Sequence, residues 1–76
     1  MKGDEMGDIM LNSKLVNTLS EYFKAQLEKH RMNASIMLNN PQGIPEHTDW
    51  MESVEKEIEK MAEYDEKLHM VTKYLK

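Results

Sequence analysis

The chain has 76 residues, 10 Lys and Arg against 14 Asp and Glu, a formal net charge of −4 and no cysteine. That length allows one small domain, near the lower limit for a self-sufficient apolar core, and the missing thiols exclude a disulfide staple, a zinc–thiolate centre and a cysteine nucleophile. No apolar run approaches the ~18 residues that span a bilayer, the acidic opening is not that of a secretory signal, and the hydrophobic residues are patterned as in a folded chain.

Residues 1–12 hold two of the three glycines and three acids. They are expected to form a flexible N-terminus, in which Ile9, Met10 and Leu11 make a short apolar segment able to fold back onto a core. A first helix is predicted over about 13–38. Val16, Leu19, Phe23, Leu27, His30, Ala34 and Met37 recur at steps of three and four, one face of an α-helix. Leu15, Tyr22 and Leu38 widen that stripe. Asn12 or Ser13 suits its N-cap, and Asn39 or Asn40 a left-handed residue at its end.

Residues 39–48 hold both prolines and the remaining glycine. Proline lacks an N–H and restricts the residue before it, so no helix is expected to run through Pro41 and Pro45. Gly43 permits a positive φ there. Trp50, at the corner, is expected against Ile44 and Pro45. A second helix follows over about 49–75, with Asp49 and Glu52 at the spacing of a capping box and Thr48 as a rival cap. Met51, Val54, Ile58, Met61, Asp65, Leu68, Thr72 and Leu75 keep a heptad register, two of the eight being polar. Acids crowd the first half of this helix and lysines its end, as the helix dipole favours. The predicted fold is all-α: an antiparallel helical hairpin of two long helices with a short N-terminal apolar segment. A lone hairpin buries one face per helix, so both a monomer closed by its ends and a homodimeric four-helix bundle satisfy the pattern.

No residue pattern points to catalysis. There is no glycine-rich phosphate loop, no Walker lysine and no H-E-x-x-H, so no catalytic, cofactor-binding or metal residue is assigned and no cofactor is expected. Glu66 and His69 make one Glu-x-x-His pair, which a dimer would double, with Glu21 or Glu28 as further ligands. A solvated pair explains it better in a chain with 14 acids. His30 reads as a boundary residue of the helix-one stripe. Residues 13–38 carry four basic side chains against two acids, a local charge of +2, whereas 49–76 carry five lysines against eight acids, −3. Lys24, Lys29 and Arg31 are therefore the candidate nucleic-acid contacts. Of the eight methionines, Met32 and Met70 lie off the main stripes. With Tyr64 and Tyr74 they form the candidate partner surface.

The most distinctive stretch is Asn39-Asn40-Pro41-Gln42-Gly43-Ile44-Pro45-Glu46-His47-Thr48-Asp49, followed by the acidic helix from Glu52 to Lys60. This combination resembles the small companion proteins of the helicase UvsW in T-even-type phages and their relatives that infect cyanobacteria. The resemblance covers Met37 to Leu75. It implies a phage-encoded protein of the host cytoplasm, not membrane-bound, that accompanies an ATP-dependent helicase in DNA recombination, repair and replication. The helicase chemistry does not carry over, because the chain lacks the motifs that ATP hydrolysis requires. Within the match, Pro41, Gly43, Ile44, Pro45, Asp49 and Trp50 read as structural. The expected function is a non-catalytic interaction module with the helicase as partner. The alternative is a small nucleic-acid-binding protein that uses helix one.

Overall fold

The computed structural model describes the backbone of residues 2–40 and 47–76 and the side chains of 11–40 and 49–76. Two helices, α1 (Lys2–Asn39) and α2 (His47–Tyr74), pack against each other. The fold is the all-α helical hairpin. Pro41, Gly43, Ile44 and Pro45, and with them the predicted Trp50 contacts, lie outside the described residues.

Three pairs set the antiparallel register. His30 meets Glu57, the Phe23 ring packs at a tilt against Tyr64, and the Trp50 indole reaches the Met37 carbonyl. In each case the two residue numbers add to 87, so this rule gives the level of any other residue. The hairpin is a rod of 64 × 17 × 13 Å with a radius of gyration of 18.3 Å. A compact domain of this length would have about 11 Å.

α1 begins at Lys2, well before the expected start near residue 13, so residues 2–12 are helical backbone. No proline interrupts them, the two glycines cost about 1 kcal/mol each, and acids early in a helix suit its dipole. At the other end, no described residue has a positive φ. Neither Asn39 nor Asn40 supplies the expected left-handed turn. Instead Trp50 Nε1 donates to the Met37 carbonyl at 3.0 Å, taking up one of the last-turn acceptors that a helix leaves unpaired. α2 begins at His47, so Asp49 is not its cap. It lies in the first turn, where its charge suits the dipole.

On α1 the expected stripe holds at Val16, Phe23, Leu27, His30, Ala34 and Met37 with one exchange, and on α2 the register departs further. On α1, Ser20 is buried and Leu19 is exposed. On α2, Val54, Met61 and Leu68 face α1 as expected, but their companions are Trp50, Glu57, Tyr64 and Val71. Met51, Ile58, Asp65, Thr72 and Leu75 are exposed. The observed lane brings in Trp, Tyr and Val, whereas the alternative would bury Asp65 and Thr72. Its one charged member, Glu57, finds partners on α1.

Candidate interaction surface

The polar centre of the seam is built from three side chains. His30 Nδ1–H donates to Glu57 Oε2 at 2.6 Å, and Asn33 Nδ2 donates to Glu57 Oε1 at 3.3 Å. The His30 ring stacks on Tyr64, with centroids 6.0 Å apart and planes 9° from parallel. Only 14% of the His30 side chain and 17% of the Glu57 side chain is exposed. A carboxylate can only accept, so this contact requires the imidazole proton on Nδ1. The trio is a structural device, with both carboxylate oxygens engaged and the ring covered on one side. Glu57 and Asn33 are the members that periodicity did not single out, since neither belongs to an apolar stripe.

The candidate nucleic-acid residues do not share a face. Lys24 and Arg31 are seven residues apart and lie within roughly 20° of each other around α1, but Lys29 lies roughly 140–160° away, on the back of the helix. Lys24 pairs with Glu21 at 3.6 Å. Arg31 Nε donates to Glu28 at 2.9 Å, and its terminal nitrogen meets the same carboxylate. That bidentate contact holds the Glu28 carboxyl below its ordinary range and raises the Arg31 guanidinium. Two of the three cations are thus locally neutralised.

The candidate partner residues are likewise divided. Tyr64 is half-buried in the seam, its ring against Phe23 at 6.1 Å and under Lys67 at 4.9 Å. Met32, Met70 and Tyr74 are exposed. By the register, Met70 is level with residue 17 on α1, so Met32 lies about 22 Å further along the rod at 1.5 Å per residue. Lys73 sits over the Tyr74 ring at 5.2 Å. Glu66 and His69 are both exposed. Among the described residues no three potential metal ligands lie together, and no described helix is long and apolar enough to cross a membrane.

Two other apolar surfaces emerge. The first is a groove along one edge of the seam near the connection. Its largest part, about 750 Å³, is lined by Leu38, Trp50, Met51, Val54 and Ile58, with Glu52 and Glu55 on the rim. It continues past Met61 and Ala62 to Leu27, with Arg31 on the α1 side. The second is a stripe on the back of α1, where Leu11, Leu15, Tyr22, Met32 and Ile36 are all exposed. Heptad spacing keeps these residues on one face, opposite α2, interrupted by Lys29. α1 therefore has apolar residues on two opposed sides, and α2 covers only one. Comparison with family models, with curated proteins and with solved structures finds no match for this chain.

Proposed function

We propose that this chain is a non-catalytic helical interaction module, accessory to a UvsW-type phage helicase in DNA recombination, repair and replication in the host cytoplasm. The observation that carries the reading is the back of α1. Leu11, Leu15, Tyr22, Met32 and Ile36 form an uncovered apolar stripe along an elongated two-helix rod, a form suited to laying a helix into a groove of another protein. The sequence offers no nucleophile set or phosphate loop to support catalysis, and the resemblance of the Pro/Gly connection and acidic helix supplies the partner.

The test is titration of purified UvsW-type helicase with the chain, read by calorimetry. Binding at micromolar concentration is expected, with Leu15→Glu and Ile36→Glu each weakening it at least tenfold. No binding at that concentration, or binding indifferent to both substitutions, refutes the reading. The alternative, nucleic-acid binding through Lys24, Lys29 and Arg31, would show an affinity for single-stranded or branched DNA that falls steeply with salt.

A further inference from the structure

We propose that a second copy of this chain covers the groove beside the seam, so that two hairpins form a four-helix bundle with both connections at the same end. The surface is distinct from the back of α1, and the proposal does not depend on the helicase.

Exposed area is the first reason. The chain exposes 6218 Å², whereas a folded monomer of 9.0 kDa exposes about 4,900 Å². The open hairpin therefore leaves more surface uncovered than a compact fold of its mass, part of it along the apolar groove. Among the described residues only Ala34, Val54 and Val71 are buried hydrophobics, while Met51, Ile58 and Leu38 stand open in the groove.

The distribution of apolar residues then chooses the arrangement. The groove is apolar near the connection and turns polar toward Asp65, His69 and Thr72. A two-fold axis along the rod lays apolar half on apolar half. An axis across the rod would lay Ile58 and Met51 on the polar half. Charge makes the same choice. With the axis along the rod, α1 of one copy lies against α2 of the other, and α1 carries +2 over 13–38 against −3 over 49–76. The groove edge of α1 presents Lys24 and Arg31, each paired with an acid of its own helix, Glu21 and Glu28, and that of α2 presents Glu52, Glu55, Glu59 and Glu66, so the partner's acids would share cations that already have one partner. The register brings Arg31 within one residue of the level of the partner's Glu55, and Lys24 between the partner's Glu59 and the partner's Glu66. Pairing through the back of α1 would instead set Lys29 into the contact of two like-charged helices.

The measurement is solution mass by sedimentation equilibrium from about 1 to 300 μM. A mass of twice 9.0 kDa is expected, with dissociation in the low micromolar range or tighter. Ile58 is 53% exposed in the single hairpin and lies outside the two lanes that face α1, so Ile58→Glu is expected to keep the helical signal of the hairpin and to weaken the dimer at least 100-fold. Leu15→Glu, on the back of α1, is expected to leave the mass unchanged.

A charge exchange guards against a variant that merely unfolds. Arg31→Glu alone and Glu55→Arg alone each place like charges together and are expected to weaken self-association about tenfold. An equimolar mixture of the two restores opposite charges at both contacts and is expected to restore dimer mass and helical signal. The chain has no cysteine, so Asn40→Cys offers a unique label. Spin labels there are expected about 20 Å apart with the connections together, against roughly 40 Å with them at opposite ends. A monomer at 300 μM, a dimer broken by Leu15→Glu but not by Ile58→Glu, a mixture that stays monomeric, or the longer label distance would overturn the proposal.

Discussion

Glu57 is the residue on which the seam is most exposed to perturbation. Its carboxylate accepts from His30 Nδ1 at 2.6 Å and from Asn33 Nδ2 at 3.3 Å, with over four-fifths of the His30 and Glu57 side chains withdrawn from water. Glu57→Ala removes the acceptor for both and leaves two donors facing a void. Each unsatisfied donor costs about 1–3 kcal/mol when buried. Water still reaches the edge of this site, so the low end applies, and the sum is about 2 kcal/mol. For a domain of this size each kcal/mol moves the melting temperature by about 4–8 °C, so a fall of roughly 8–16 °C is expected. His30→Leu combined with Glu57→Leu removes one donor with the acceptor and fills the space with apolar side chains, leaving only Asn33 Nδ2 to be met by water at the edge of the site. That exchange is often neutral or favourable, and the double variant is expected within about 1 kcal/mol of the parent. The assay is thermal unfolding by circular dichroism, run at one protein concentration because self-association would shift the midpoint. If Glu57→Ala melts within 2 °C of the parent, or the double variant is no more stable than Glu57→Ala, then the trio does not act as the paired unit described here.

Three further outcomes follow from other contacts. Trp50→Phe keeps the aromatic ring but leaves the Met37 carbonyl without the 3.0 Å donor; a loss of about 1 kcal/mol in chemical unfolding is expected, and an unchanged midpoint would show that water replaces the indole. Ser20 is 1% exposed and its Oγ has no hydrogen-bond partner, so Ser20→Ala is expected to raise stability by about 1 kcal/mol; a loss would reveal that the hydroxyl is satisfied. The hydrogen bond from Lys67, with the nearby Lys60 charge, lowers the Glu63 carboxyl below its ordinary 4.5. Glu63 therefore favours the fold above that value and loses its contribution as acid takes the pH down through the lowered one. Carboxyl NMR titration should place its midpoint below that of the free side chain and return it upward in Lys67→Met.

The two helices and their antiparallel pairing were legible because proline at 41 and 45 ends any helix and three-four spacing marks a helical face on each side. The choice of face was legible on α1 save for Leu19, but not on α2. Its apolar residues occupy three neighbouring lanes: Trp50, Tyr64 and Val71; Val54, Met61 and Leu68; Met51 and Ile58. One partner helix buries two lanes. Periodicity alone favours the pair without a glutamate, because it cannot know that His30 and Asn33 stand ready for Glu57 on a helix 24 or more residues away. The spatial grouping of the candidate residues was hidden for a related reason. Lys29 and Arg31 are near neighbours in sequence, but two residues along a helix turn the side chain by about 200°, so proximity in the chain became separation in space. Tyr64 read as surface because the expected lane excluded it, and the observed lane placed it against Phe23. The misassigned register still carries information. A helix that needed one partner would have no use for a third apolar lane, and Met51 and Ile58 remain exposed after α1 has taken its two. In a four-helix bundle every helix touches two neighbours and requires the wider stripe. The lane left over by the hairpin is thus what a second hairpin would take, and Ile58→Glu is the substitution that separates the two uses of α2.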